Sequence, residues 1–172
     1  MRGSTLRLAC SVFINEHVHC YCIVYCILHT HNMASAAPTH LSVVVTGDRH
    51  WDNVACVRSA LGHIQARVAP GTTITLHHGG CRGADTQAAT EARRRKWAVR
   101  MHAAEWGKYK GAAGPRRNSS MLKLANPSIV LVLHPHLERS KGTKDCVNKA
   151  RKLFKTRQQG SLLMYTGERQ LT

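Results

Sequence analysis

From Leu41 onward, apolar positions change period in a regular way along the chain. Leu41-Ser-Val-Val-Val-Thr46 is near-continuous and β-branched, the pattern of a strand buried on both faces. Val54, Val57, Leu61, Ile64 and Val68 then recur at gaps of three and four, which is helical period, and Pro70-Gly71 ends that helix. Thr72 to His77 predicts a second strand. Gly79-Gly80-Cys81-Arg82-Gly83 is a tight glycine loop leading into a helix with Ala84, Ala88 and Ala92 on one face. Such small residues let a helix approach a sheet closely. A third strand is expected near Trp97 to His102, followed by a polar loop through Gly114. Pro115 suits the first turn of a helix that runs to about Ala125 and stops at Asn126-Pro127. Ile129 to Leu133 predicts a central strand. Gly142-Thr143 opens a helix with Val147, Ala150 and Phe154 inward, and Leu162 to Tyr165 predicts a fifth strand.

This alternation argues an α/β fold: a Rossmann-like three-layer sandwich with a mainly parallel sheet of about five strands. Ligands in such folds sit at the carboxyl ends of the strands. Residues 41–168 are expected to form the domain, and residues 1–40 an extension outside it, disordered or not part of the fold. Within residues 1–32 no capped helix or clean alternating strand is visible. This segment is open to three readings: a targeting presequence, a metal site using Cys20, Cys22, Cys26, His29 and His31, or an upstream extension with Met33 as the start. The Cys and His spacing fits no familiar zinc pattern, so the extension is preferred and no metal is expected. Seven cysteines, four of them within the first 26 residues and three spread through the body, are too few and too irregular for a disulfide scaffold, and their distribution suits a reducing, cytoplasmic location.

Charge adds a partner class. The chain has 172 residues, 43% of them hydrophobic, with 25 Lys and Arg against 9 Asp and Glu, a formal charge of +16. Arg2, Arg7 and Glu16 are the only charged side chains in residues 1–32, so the basic character belongs to the domain. Polyanions are the expected partners: phosphates, nucleotides, nucleic acid or an anionic membrane surface, and charge alone does not choose among them. No run reaches the length of a membrane span, so no membrane partner is expected. Sheets of this kind often dimerise, although no residue identifies a dimer interface.

Three loops follow strand ends on the same predicted edge: Thr46-Gly47-Asp48-Arg49-His50, Gly79 to Asp85, and Gly142-Thr143-Lys144-Asp145. Glycines there permit close backbone approach to an anion, and helix starts offer free N–H groups. Arg116-Arg117-Asn118 lies at another helix start, the wrong end for cations unless they meet an anion. Arg93-Arg94-Arg95-Lys96 ends a helix and reads as a solvated face. Asp85 and Asp145 lie in first turns, as caps or as catalytic carboxylates. Trp106 suits either base stacking or packing. The first loop lacks the dinucleotide fingerprint, there is no Walker lysine pattern, and no cofactor is expected.

Val-Thr-Gly-Asp-Arg-His-Trp (45–51), His78 to Thr86, Ala104-Glu105-Trp106 with Ala113-Gly114-Pro115 and Arg117 to Met121, and Gly142-Thr143 resemble, in order and spacing, the motifs of the YspA, cpYpsA-related SLOG family. The resemblance spans residues 41–155. It implies a Rossmann-like sandwich that senses or processes nucleotide-derived ligands, related to the cytokinin-activating phosphoribohydrolases and to a DNA-processing protein that binds single-stranded DNA. It further implies ligand contacts at Gly47, Arg49, Gly79, Gly80, Gly83, Asp85, Arg117, Asn118, Gly142 and Thr143. Asp48 and Arg82 are added from the loop reading, and Asp85 and Asp145 are the candidate catalytic residues. The phosphoribohydrolase loop departs here. No Gly-Gly precedes Gly142, and the glutamate position falls on Cys146, with Asp145 one residue early. One residue on a helix turns a side chain by about 100°. Binding of a nucleotide derivative is therefore the first expectation. N-glycosidic hydrolysis and single-stranded nucleic-acid binding are the alternatives.

Overall fold

The computed structural model describes residues 8–14, 20–27 and 40–167, with side chains described over 40–165. Among the described residues, seven strands and five α-helices follow one another as β1 (Leu8–Ile14), β2 (Cys20–Ile27), β3 (His40–Gly47), α1 (Val54–Gln65), β4 (Thr73–His78), α2 (Ala84–Arg94), β5 (Ala98–Met101), α3 (Trp106–Tyr109), α4 (Ala113–Ala125), β6 (Ile129–Leu133), α5 (Lys141–Arg157) and β7 (Ser161–Gly167). They build one sheet in the order β1-β2-β7-β6-β3-β4-β5. The five strands from β3 onward pair in parallel throughout, as the alternating pattern predicts.

Both faces of the sheet are covered. In β3, Leu41, Val43 and Val45 point into the core beneath α1 and α2, while Val44 points into the core beneath α4 and α5. β6 divides the same way: Leu131 and Leu133 to the first layer, Val130 and Val132 to the second. The period of two explains why these strands are apolar at nearly every position. α2 lays Ala84, Ala88 and Ala92 on the sheet, all fully buried, as their small size predicts. On the other face α5 buries Val147, Ala150 and Phe154.

The structure departs from the sequence expectations in three places. Leu8–Ile14 and Cys20–Ile27, where no clean strand pattern is visible, form an antiparallel pair whose second strand runs antiparallel to β7 and extends the sheet to seven. The metal reading of Cys20, Cys22, Cys26, His29 and His31 falls outside the described side chains. Within the loop expected to be polar through Gly114, α3 and a 3₁₀ turn (Lys110–Ala112) precede α4. The third departure is in the Arg93–Lys96 run, which is not simply a solvated face. Arg95 is 3.2 Å from the buried Glu91 carboxylate and donates to Gln65 Oε1 and to the Arg58 carbonyl, clamping α2 to α1.

Candidate functional site

The strand order reverses direction between β3 and β6: from β3 the chain moves to β4 and β5, and from β6 to β7. At such a switch point the connecting helices leave to opposite faces, and a crevice opens beyond the carboxyl ends. A cleft of about 510 Å³ lies there. Its floor is the loop after β3. Asp48 N–H donates to the Leu133 carbonyl (2.8 Å), Ala84 N–H to the Asp48 carbonyl (3.0 Å), and the Thr143 hydroxyl to the Gly47 carbonyl (3.1 Å). This one loop is thus joined to β6, α2 and α5. Gly83, at φ +71°, makes the approach of α2 possible: a Cβ there would stand 2.6 Å from the Asp48 carbonyl oxygen. Asp48 Oδ1 accepts from the His50 N–H (3.0 Å).

Asp85, buried in the first turn of α2, does not cap its own helix. Its Oδ2 accepts from the N–H groups of Gly79 (3.0 Å) and Cys81 (3.2 Å) and folds the glycine loop around the carboxylate. Burial raises its pKa, against the opposing pull of those two N–H groups and of the Arg117 guanidinium. Backbone donors expected to receive a ligand phosphate therefore already serve an internal anion.

Arg117 comes from α4. Its guanidinium lies directly against Gly79, so any side chain at position 79 would overlap it. It donates through Nε to Asn118 Oδ1 (3.1 Å) and through Nη1 to the His102 carbonyl (3.3 Å). Asn118 in turn donates to the Gly142 carbonyl (3.2 Å) and to Asp145 Oδ2 (3.0 Å), and Lys149 Nζ closes on the same Asp145 oxygen at 2.8 Å. α4 and α5 are locked at the cleft by these contacts.

His134, the first residue after β6, is buried at the edge of the cleft and accepts through Nδ1 from the His136 N–H (3.0 Å). The neutral ring then carries its proton on Nε2. Burial lowers the His134 pKa, with Asp48 opposing, His136 adding to the lowering and Glu138 opposing. Cys146, next to Asp145 on α5, is fully buried, and burial pushes its thiol up to about 12. It is a core residue.

Of the residues expected at the site, Gly47, Asp48, Arg49, Asp85, Arg117, Asn118, Gly142 and Thr143 line the cleft. Gly79, Gly80, Arg82, Gly83 and Asp145 do not. Gly79 and Gly83 lie behind the lining as points of close contact, and Asp145 is held by Asn118 and Lys149. Sequence reasoning missed His134, Arg139, Ser140 and Lys141, which also line the cleft. Their one sequence signal is position, immediately beyond β6 on the carboxyl edge. The 3₁₀ turn Leu137–Arg139 brings them in, anchored by Leu137, and Ser140 caps α5 by accepting the Thr143 N–H (3.1 Å).

Among the described residues no helix is long and apolar enough to cross a membrane, and no cluster of metal-ligating side chains is present. No curated protein and no solved structure matches the chain. Residues 41–109, which carry the chain from β3 to α3 and with it the first two loops of the cleft, match the model of the YspA, cpYpsA-related SLOG family.

Proposed function

We propose that the cleft binds a phosphorylated nucleotide derivative, with the phosphate at the amino end of α5. One observation carries this reading. Arg49, Arg117, Arg139 and Lys141 line the cleft together with the first turn of a 17-residue helix, while Asp48 and Asp85 are the acids that line it. A helix N-terminus and convergent guanidinium groups favour an anion. The Asp85 charge is directed inward, onto the glycine-loop N–H groups. The cleft volume lies within the range that holds small molecules. The family resemblance points to ligands of the same class.

Thermal melting and calorimetry with AMP, ADP-ribose and ribose 5-phosphate, at low and moderate salt, test the reading. Arg139→Ala and Lys141→Ala are expected to weaken binding roughly 10- to 100-fold each, the loss of one charge-assisted hydrogen bond. A melting temperature unmoved by every phosphate, or unaltered affinity in both variants, rejects the assignment.

A second reading is hydrolysis of the N-glycosidic bond in that ligand, with water adding to C1′ and the base leaving as the protonated product. It is favoured by Asp48, whose carboxylate lines the cleft on the floor loop. Asp145, tied to Asn118 and Lys149, is a weaker candidate than Asp48 or Asp85. Release of free base from nucleoside monophosphates supports hydrolysis, and no turnover at high protein concentration rejects it. Binding of single-stranded nucleic acid through the basic surface is separated from both by its steep loss with salt.

A further inference from the structure

We infer that the cleft has a stacking end for a nucleobase, formed by the indole of Trp106. The inference rests on the nucleotide reading of the cleft and narrows it, from any phosphorylated small molecule to one that carries its base.

The three tryptophans of the chain behave differently. Trp51 and Trp97 are 5% and 7% exposed and belong to the core under α1 and α2. Trp106 is 60% exposed, the one aromatic among the exposed large apolar residues described. It is a member of neither core cluster, so core packing does not explain it. It opens α3 just beyond β5, on the carboxyl edge, and lines the same cleft as Arg117 and Lys141.

Its position is also held. The Trp106 N–H donates to the Ala104 carbonyl (3.0 Å), and the next turn closes through Tyr109 N–H on the Glu105 carbonyl (2.9 Å). Tyr109 is held under the Arg116 guanidinium at 4.1 Å. On the α4 side, a methyl group on Gly114 would lie 3.6 Å from Cη2 of the indole, in van der Waals contact. The first turn of α4 therefore sits close beside the ring, with no side chain from Gly114 intruding. A solvent-facing aromatic on an anchored backbone, beside a cationic cleft, suits a flat heteroaromatic ring that is tethered to a phosphate. Stacking accepts any base, because each has a π-face. Tolerance of base identity with a strict need for a base follows.

Calorimetry on the full chain with AMP, UMP and ribose 5-phosphate tests this, using wild type, Trp106→Ala and Trp106→Phe. Because Trp106 is exposed, both variants are expected to melt near wild type. In the wild type, AMP and UMP should bind roughly 5- to 150-fold more tightly than ribose 5-phosphate, the range for stacking one base. Trp106→Ala should reduce that ratio to near one, Trp106→Phe should retain most of it, and AMP should quench fluorescence that is absent from Trp106→Phe. Equal wild-type affinities for AMP and ribose 5-phosphate, or equal weakening of both by Trp106→Ala, overturn the stacking end while leaving the phosphate cleft intact. Failure of all three compounds to bind folded wild-type protein overturns the cleft reading and this inference together.

Discussion

Replacing Asp85 separates its structural role from its charge. Its Oδ2 accepts the N–H groups of Gly79 at 3.0 Å and Cys81 at 3.2 Å, and the residue is 5% exposed. Asp85→Ala leaves both donors without that acceptor. A buried unsatisfied N–H costs about 1–3 kcal/mol. Cys81 is exposed, so its N–H can turn to water, and the buried carboxylate no longer has to be desolvated. The expected net loss is therefore about 1–3 kcal/mol. Asp85→Asn keeps an amide oxygen with two lone pairs for the same two donors and removes the charge. Its cost should fall within about 1 kcal/mol of zero. Urea unfolding at neutral pH, with m unchanged, reads both values. A second arm uses pH. The folded-state pKa of Asp85 is raised by burial above its unfolded value of 3.8. Wild type should therefore gain stability relative to Asp85→Asn as pH falls through the folded value, with the gain complete below 3.8. Equal stability of the Ala and Asn variants, or a relative loss for wild type on acidification, would refute the account of Asp85 as the internal anion of the glycine loop.

Further outcomes follow from other contacts. Gly83→Ala should cost about 2–4 kcal/mol, because φ is +71° and the new Cβ meets the Asp48 carbonyl, whereas Gly142→Ala, with open space around it, should stay within about 0.5 kcal/mol. Equal melting temperatures for these two variants would contradict the close approach. Glu91→Ala should cost about 2–4 kcal/mol, carried by the loss of Arg95 rather than of the exposed Arg58 and Arg94, and an unfolding midpoint unmoved from wild type would count against the clamp. Burial lowers His77 and His78 from 6.5 to about 4, with His102, Arg100, His40 and His78 adding at His77 and Arg93, His102 and Arg117 at His78. Stability should therefore be full above pH 6.5 and decline as pH falls towards about 4, and His77→Gln should flatten that slope in an acid titration followed by circular dichroism.

The elements most visible in the sequence were those with a physical period to read. β6 and the Leu41–Val45 stretch of β3, broken only by Ser42, are apolar because helices cover both faces, and the small residues of α2 mark its close seat on the sheet. Val54 fits the helical period of α1 but is 40% exposed, since the buried line runs through Cys56, Val57, Ala60, Leu61 and Ile64. α3 has four residues, too few to show a period. The edge pair β1–β2 was missed because neither segment alternates. The Arg93–Lys96 run reads as solvated from its own residues, whereas the partner that holds Arg95 is Glu91, one turn earlier. At the cleft, loops introduced by glycines were legible, and the loop after β6 was not. There Leu137, a single apolar residue between His136 and Glu138, folds Arg139 and Lys141 back over the site.

The glycine loop after β4 looks like a phosphate cradle in sequence, and its structure assigns the glycines other work. Gly79 leaves room for the Arg117 guanidinium, and Gly83 lets α2 meet the loop after β3. A phosphate seated on Gly79 and Cys81 would have to displace a carboxylate that is buried and covalently tethered one turn away. It would gain no donor that Asp85 does not already use. Arg117 is divided between the two ends of the cleft: Asp85 acts on it from the glycine loop, and Asn118 links it to Gly142 at the start of α5. A phosphate at α5 can therefore draw on Arg117 without dismantling the loop that positions it. On this argument Asp85→Asn should strengthen phosphate binding, because it removes the competing charge while keeping the loop, and Asp85→Ala should weaken it, because the loop opens. Opposite signs for the two variants in a ribose 5-phosphate titration would support the division. Strengthening by both, larger for Asp85→Ala because it frees the Gly79 and Cys81 N–H groups, would place the phosphate on the glycine loop after all.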